Sequence, residues 1–238
     1  MKSLSLLKRS TLLFTVFLGI TASAEASLIF NDSLVISGTG LGAVNTLVTV
    51  NDTGQGNDIE GGCISRVGGG DQEVCEPGTG ITEQDNLGIN QTILFSALNF
   101  SMGDTIAAVV NIAETGQDLS VTLTDLYLSF YDAGDSLIHV AQYLGPDLIL
   151  TQGTGTGLGA SGFAFSLDAA QQAIVLAGAP VRIGGGLQFA EGTTNNGPET
   201  LHVVAVEGAV IPEPAPFVSL GTGLIAFGIW RLRARKRA

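Results

Sequence analysis

The feature that most constrains the fold of this chain is a series of short apolar or alternating runs, separated by clusters of Gly, Asn, Asp and Pro. Alternation with a period of two residues indicates half-buried β-strands, and the clusters between the runs are turn signals. The pattern predicts an all-β protein of about eight to ten strands, folded as a single jelly-roll-like β-sandwich. In chain order the runs are SLVISG, NTLVTVN, QTILFSAL, DTIAAVVNIAE, LSVTLT, DLYLSFY, SLIHVAQYL, LILTQ, GFAFSL, VRIGGGLQF and ETLHVVAV.

Local details follow from the same pattern. Residues 131–135, YDAGD, have the composition of a tight turn, so the flanking runs LSFY and SLIHV are expected to pair antiparallel. Residues 119–123 alternate in one phase and residues 126–130 in the other, which predicts a bulge or bend at Thr124-Asp125.

One short helix is expected among the strands. The stretch from Leu167 to Gly178, LDAAQQAIVLAG, is rich in helix-forming residues. Asp168 is the candidate N-cap and Gly178 the candidate C-terminal stop.

The N-terminus has the three parts of a secretory signal peptide in order. Three basic residues within the first nine are followed by the apolar run TLLFTVFLGI and then by small residues that form two A-x-A sites. A positive start, an apolar run too short to span a bilayer and a small-residue cleavage site define such a peptide. We therefore expect residues 1–26 to be removed on export, with cleavage after Ala26 or, alternatively, after Ala24.

Export changes how the cysteines are interpreted. Cys63 and Cys75 are the only two in the chain, and an even count in an oxidising compartment favours a disulfide. The loop between them is short and rich in glycine, so it can close easily. A metal site is the alternative, but two cysteines without a nearby histidine are too few for structural zinc.

The C-terminal segment joins a charge-free apolar stretch to a basic end. As a helix, residues 215–230, from Ala215 to Trp230, would extend about 24 Å, slightly less than the hydrocarbon core of a bilayer. Trp230 and the first arginines can lie at the interface, while the basic end, residues 231–238, stays on the cytoplasmic side of the inner membrane. The pattern predicts a transmembrane anchor with the rest of the chain outside. The basic residues are Arg231, Arg233, Arg235, Lys236 and Arg237.

The motif Pro212-Glu213-Pro214 stands directly before this apolar stretch. A Pro-Glu-Pro motif, an apolar helix and a basic end, in this order over residues 211–238, resemble the PEP-CTERM sorting signal. The resemblance implies that a membrane-embedded exosortase recognises Pro212, Glu213 and Pro214, cuts near the motif, and releases or re-anchors the body. Members of the family occur in Gram-negative bacteria that make exopolysaccharide. The prolines suit this role, because they keep the segment extended and remove backbone donors.

The body between these ends, residues 27–210, is strongly acidic. It holds 20 of the 22 acidic residues and only two basic ones, Arg66 and Arg182, so its net charge is −18. Nucleic acid and anionic lipid surfaces both require basic patches, which excludes them as partners of the body. A length of about 185 residues suffices for one domain with its own core.

The stretch NDTGQGNDIEGG, residues 51–62, is the candidate for a metal site. Residues 54–58, GQGND, resemble one unit of the glycine-aspartate repeat that binds calcium in secreted repeat-in-toxin proteins. Calcium prefers carboxylate and carbonyl oxygens, and the candidate ligands are Asp52, Asp58 and Glu60. The copy is single and imperfect, and the alternative is a flexible acidic loop beside the disulfide, with no cofactor.

The remaining candidate residues have structural alternatives. The match to G-x-G-x-x-G at residues 157–162 precedes a strand, whereas dinucleotide binding requires the reverse order. His139 and His202, the only histidines, lie within strand patterns and are expected to point outward. Arg182 would either bind a carboxylate of a ligand or pair with a neighbouring Asp or Glu.

Together these features predict a non-enzymatic protein of the cell surface or extracellular matrix, associated with biofilm or exopolysaccharide. The export machinery and an exosortase would deliver it through the inner membrane. The alternative is a carbohydrate-binding module, with calcium as a helper and Tyr127, Tyr131 and Tyr143 as platforms on which sugar rings stack. A further alternative is an exported hydrolase, although the sequence contains no recognisable nucleophile or metal cluster.

Overall fold

The residues that the structure describes form an all-β sandwich of two antiparallel sheets with one α-helix, as the alternating pattern predicts. It was obtained as a computed structural model. The structure describes residues 28–36, 45–51, 59–85, 88, 90–113, 120–152, 162–194 and 198–207.

The smaller sheet brings together strands that are far apart in the chain. Its five strands are β1 (Leu28–Ile36), β2 (Asn45–Val50), β6 (Asp104–Asn111), β10 (Gly162–Leu167) and β12 (Glu199–Glu207). Their order across the sheet is β1-β10-β6-β12-β2, and every pair is antiparallel.

The larger sheet has seven described strands. They are β3 (Glu60–Val67), β4 (Gly70–Gln72), β5 (Ile93–Leu94), β7 (Ser120–Tyr131), β8 (Leu137–Gln142), β9 (Leu148–Thr151) and β11 (Arg182–Phe189). Their order is β4-β3-β11-β7-β8, with β11 and β7 at the centre, while β5 pairs with β11 and β9 pairs with β7.

The hydrophobic core lies between the two sheets. Alternate residues of each strand point into it, among them Val110 and Phe165 from the smaller sheet and Leu128, Phe130 and Leu187 from the larger one. All five are fully buried, and each such side chain contributes about 1.5–3 kcal/mol relative to its exposed state.

The predicted bulge in β7 is confirmed. Asp125 is opposite Gln188 and Leu123 is opposite Phe189, so Thr124 is the extra residue on the bulged strand. Its hydroxyl donates to the carbonyl oxygen of Gln188 over 3.1 Å. The antiparallel pairing of β7 with β8 across the turn that follows Tyr131 is confirmed as well.

The predicted helix is also present, as α1 (Ala169–Ala177). The carboxylate of Asp168 accepts a hydrogen bond from the backbone N–H of Gln171 over 2.7 Å, which confirms the N-cap. Gly178 ends the helix but keeps a right-handed conformation. The left-handed position falls instead on Ala179, at φ 50°.

Three predicted segments differ from the structure. Strands β3 and β4 lie where a loop was expected, because Gly61 and Gly62 conceal the strand pattern of β3. In QTILFSAL only Ile93–Leu94 pairs as a strand, and Phe95–Leu98 forms a 3-10 helix. The first strand begins at Leu28, before the predicted SLVISG, and the described residues contain twelve strands rather than about eight to ten.

Candidate functional site

The most elaborate side-chain arrangement lies on the outer face of the larger sheet, beneath residues 73–85, which we call the strap. The predicted disulfide is confirmed: Cys63 on β3 and Cys75 in the strap are bonded, with Cα atoms 5.1 Å apart. Further along the strap, the backbone N–H of Thr82 donates to the side-chain carbonyl of Gln188 over 2.7 Å. The strap is thereby fixed to β3 and β11.

The glycines of β11 allow side chains to lie directly against this face. A Cβ atom at Gly186 would lie 2.7 Å from a ring carbon of Tyr127 and 2.9 Å from the sulfur of Cys63. At Gly184 it would lie 2.5 Å from the carbonyl oxygen of Ile64. Since real Cβ atoms do not approach this closely, both positions require glycine.

Two tyrosines of β7 fasten the strap from below. The hydroxyl of Tyr127 accepts a hydrogen bond from the backbone N–H of Glu76 over 3.1 Å, and the hydroxyl of Tyr131 donates to the Glu76 carboxylate over 2.5 Å. Burial raises the pKa of both hydroxyls well above the usual range, so both stay protonated. The two hydroxyl groups therefore serve to hold the strap against β7.

The prediction that tyrosines form sugar-stacking platforms is wrong for two of the three. Tyr127 and Tyr131 are at most 1 % exposed. Tyr143 is half-buried: its ring meets Phe165 edge-on at 5.4 Å, and its hydroxyl donates to the carbonyl oxygen of Pro146 over 2.9 Å.

Both arginines of the body hold turns and strands in place. Arg66 donates to Asp71 over 2.9 Å and to Asp135 over 2.6 Å, which joins the β3–β4 hairpin to the β7–β8 turn. Arg182 donates to the hydroxyl of Thr92 over 3.0 Å. This hydroxyl takes the place of the Asp or Glu that the sequence predicts as a partner. Burial raises the pKa of Asp71, but hydrogen bonds from Thr92 and Arg66 outweigh it and hold the pKa below its ordinary value.

The two histidines differ in their surroundings. His202 is 2 % exposed, contrary to the expectation of an outward-pointing side chain, and its ring nitrogens lie 3.0 Å from the hydroxyl of Thr46 and 2.7 Å from that of Thr200. Burial lowers its pKa to about 4, so the ring is neutral near pH 7. His139 is half-exposed and contacts the side-chain carbonyl of Gln171 on α1.

Of the predicted calcium ligands, only Glu60 can be placed. It is the first residue of β3, opposite Phe189, and is 1 % exposed. Asp52 and Asp58 lie outside the described residues. Within the part of the chain that the structure describes, no group of three or more His, Cys, Asp and Glu side chains could hold a metal ion.

An open cavity of about 480 Å³ lies between the 3-10 helix, the start of β6 and the end of β12. Its lining is mixed: Met102 is fully exposed, and the carboxylates of Asp104 and Glu207 belong to residues that are opposite each other on β6 and β12. Within this lining, the carboxylate of Asp104 accepts a hydrogen bond from the backbone N–H of Ser101 over 2.7 Å. The lining residues are Leu98, Asn99, Ser101, Met102, Gly103, Asp104, Ala205 and Glu207.

The predicted targeting segments lie outside the described residues. This applies to the signal peptide (1–26), the sorting tail (211–238) and residues 157–161 of the glycine-rich match. Among the residues that are described, no helix is long and apolar enough to cross a bilayer.

Sequence reasoning did not identify the contacts of Glu76, Tyr127 and Tyr131. One available signal was the run Gly184 to Gly186, since glycine within a strand marks a place where other groups approach closely. Comparisons with protein-family models, curated proteins and solved structures found no match for this chain.

Proposed function

We propose that this chain is an exported protein of the cell surface or extracellular matrix, with a non-enzymatic β-sandwich body. The observation that carries the proposal is the Cys63–Cys75 disulfide, because such bonds persist in oxidising compartments outside the cytoplasm. Residues 1–26 act as the signal peptide. Residues 211–238 act as the sorting tail that an exosortase processes in the inner membrane, and the mature form is delivered to the cell surface or the extracellular matrix.

A structural role for the body is supported by how its polar side chains are used. Arg66 and Arg182 tie turns and strands together, Tyr127 and Tyr131 hold the strap, and His202 is buried between two threonines. These contacts favour a structural body over a hydrolase. They also weaken the sugar-binding alternative, because two of its three aromatic platforms are covered.

We further propose that the sandwich is jelly-roll-like in its connections. The pairing of β1 with β10 and of β2 with β12 supports this, because each pair joins strands from opposite parts of the chain. A jelly roll, which is built from two Greek keys, likewise places strands from distant parts of the chain side by side.

The sorting step is tested by replacing the two prolines of the motif. In the native host, the Pro212→Ala/Pro214→Ala variant is expected to remain at full length in the membrane fraction, while the unaltered protein reaches the surface. The matched control is Pro216→Ala, which removes a proline just outside the motif and should be sorted normally. Surface delivery of the double variant at the normal level would show the proposal to be wrong.

The role of the body is tested by thermal unfolding of the full chain with calcium, with chelator, and with exopolysaccharide from the host. A ligand that binds only the folded state stabilises it by about 2.7 kcal/mol at a hundredfold excess over its Kd. The temperature of the unfolding midpoint rises as a result. A structural body predicts the same midpoint in calcium and in chelator, with or without polysaccharide. A calcium-dependent rise that grows with polysaccharide would favour the carbohydrate-binding alternative.

A further inference from the structure

An uncharged apolar segment connects β5 to β6 at one end of the sandwich. Residues 86–103 contain no Asp, Glu, Lys or Arg, although the body carries a net charge of −18. Within this stretch, Leu94 is exposed by 47 % and Met102 is fully exposed. We call residues 94–102 the apolar loop. Several apolar residues exposed in one uncharged segment indicate a contact site, whereas single ones scattered over a surface are ordinary.

The sandwich presents the apolar loop in one defined shape. The rings of Phe95 and Phe100 pack against each other with centroids 5.7 Å apart, and both lie against the core. After them, the backbone N–H of Asp104 donates to the carbonyl oxygen of Ser101 over 3.0 Å, and the Asp104 carboxylate accepts from the N–H of Ser101. Met102 lies inside this turn. The fold therefore fixes the turn that carries its exposed side chain.

The apolar loop lies at the end of the sandwich from which the chain continues into the tail. It lines one cavity together with Glu207, the last residue of β12, which is opposite Asp104. Residues 208–214 separate Glu207 from Ala215, where the predicted transmembrane helix begins, and a chain of this length spans at most about 28 Å. Glu199, at the other end of β12, lies about 27 Å from Glu207. The end that carries the apolar loop is thus the one tethered closest to the membrane.

We propose that the apolar loop docks on the non-cytoplasmic surface of the bilayer that holds the tail, with Leu94 and Met102 inserted among the lipids. This inference rests on the proposed anchor at residues 215–230 and adds a second membrane contact to it. The short tether keeps the loop at a high effective concentration beside the bilayer, so a small apolar contact suffices. Docking holds Pro212-Glu213-Pro214 near the membrane surface, where an exosortase acts.

Charge determines which lipids suit this contact. The carboxylates of Asp104 and Glu207 belong to the cavity that the apolar loop borders, and carboxylates attract the ammonium groups of zwitterionic headgroups. An anionic surface repels the same carboxylates and the acidic body as a whole. The matching surface is therefore a bilayer with net-neutral, amine-bearing headgroups, such as those of phosphatidylethanolamine.

The test uses Met102 as its own reporter, because peroxide oxidises accessible methionine to the sulfoxide. The full chain is reconstituted through its tail into nanodiscs of phosphatidylethanolamine and phosphatidylcholine. Ile149→Met, on β9 at a position exposed by 70 %, supplies a reference methionine in the same molecule. Met102 is expected to be oxidised roughly fivefold more slowly than this reference, although it is the more exposed position in the fold. Peptide mass spectrometry measures both rates.

The reference position lies far from the apolar loop. Strand β9 pairs with the first residues of β7. The loop is linked to the last residue of β7, because the carbonyl oxygen of Val181 accepts from the N–H of Phe95 and the N–H of Val181 donates to the carbonyl oxygen of Tyr131.

A charge placed in the apolar loop should remove the protection. In the Leu94→Asp variant, Met102 is expected to be oxidised within about twofold of the reference rate. The matched control is Val74→Asp, which adds the same charge in the strap at an exposure of 46 % and should leave Met102 protected. Nanodiscs of phosphatidylglycerol, an anionic lipid, should weaken the protection of the unaltered loop without any substitution in it.

Equal oxidation of Met102 and the reference in neutral nanodiscs would overturn the inference. Protection that persists both in Leu94→Asp and in phosphatidylglycerol would overturn it too, because protein rather than lipid would then cover Met102. A chain that does not enter nanodiscs through its tail would contradict the proposed anchor, and this inference with it. Entry without protection of Met102 would leave the anchor standing and refute the docking alone.

Discussion

Gly184, Gly185 and Gly186 allow β11 to be approached closely from both faces of the larger sheet. On the core face, a Cβ atom at Gly185 would lie 3.2 Å from a methyl carbon of Leu201. On the outer face, the same atom at Gly186 would lie 2.7 Å from the ring of Tyr127. The three residues thus let the core and the strap pack against one strand.

Gly186→Ala is expected to lower the free energy of unfolding by about 1–3 kcal/mol, because the methyl group overpacks the contact with Tyr127 and Cys63. Urea unfolding measures the change. The matched control is Gly70→Ala, where an added Cβ has no neighbour within 4 Å, and its effect should stay within about 0.5 kcal/mol. Equal stability of the two variants would contradict the close packing of the strap on β11.

Ala179 carries local strain that a single substitution should relieve. Its φ of 50° lies in the left-handed region, which costs an L-residue about 1–2 kcal/mol, whereas glycine adopts it freely. Ala179→Gly is therefore expected to stabilise the fold by about 0.5 kcal/mol after the greater entropy of the unfolded glycine is subtracted. Ala173→Gly, at an exposed position in the middle of α1, should instead destabilise by about 1 kcal/mol. The prediction fails if both substitutions lower the thermal midpoint.

His202 should make stability depend on pH in the acidic range. Its pKa is about 4 in the folded protein and about 6.5 when unfolded, so between these values the unfolded chain binds the additional proton. Stability therefore falls as pH decreases from 6.5 towards 4, and this histidine alone accounts for about 2 kcal/mol between pH 7 and pH 5.

Denaturant unfolding at several pH values measures this contribution as a difference between variants. The difference in stability between the unaltered protein and His202→Asn should shrink by about 2 kcal/mol from pH 7 to pH 5. The control is Ser166→Ala, a change at a buried position of the same sheet that removes no titratable group, and it should keep the pH dependence of the unaltered protein. A constant difference for His202→Asn would mean that its ring is not buried in the neutral form.

At the scale of elements, the strap is the part of the body whose position depends most on a covalent bond. It contains neither a helix nor a strand, yet it covers the centre of the larger sheet. The disulfide attaches one end of it to β3, and Glu76 and Gln188 supply hydrogen bonds farther along.

Cys63→Ser/Cys75→Ser is expected to lower the free energy of unfolding by about 3 kcal/mol, since the bond closes a loop with a sequence separation of 12. In the variant, the amide of Glu76, which donates to Tyr127, should also exchange its hydrogen faster than in the unaltered protein, while the amides in the centre of β7 change less. Chemically reduced protein is the control and should behave like the double variant. Unchanged exchange at Glu76 would show that the strap is held without the disulfide.

The elements that could be predicted from the sequence are those with local signals. Asp168 and Gly178 mark the ends of α1, and the change of phase in β7 marks the bulge at Thr124. Strand β3 was missed because its glycines carry no side chains to alternate. The burial of Tyr127 was missed because it depends on Glu76, which is 51 residues away in the chain and meets it only in the folded state.

At the scale of the whole molecule, an acidic sandwich is combined with ends that the sequence predicts to be processed. The body has 20 acidic residues against two basic ones, which favours solubility outside the cell through repulsion between molecules. A surface protein with this charge would stay dispersed during export.

The central claim, export followed by processing at Pro212-Glu213-Pro214, is tested most directly by the intact mass of the protein recovered from the cell surface. We expect a chain that begins at Ser27 or Glu25, ends near Pro214, and retains the Cys63–Cys75 disulfide, so that reduction adds the mass of two hydrogens. A surface form that still carries Arg231 to Ala238 would contradict processing by an exosortase. One that still carries residues 1–26 would contradict export through a cleaved signal peptide.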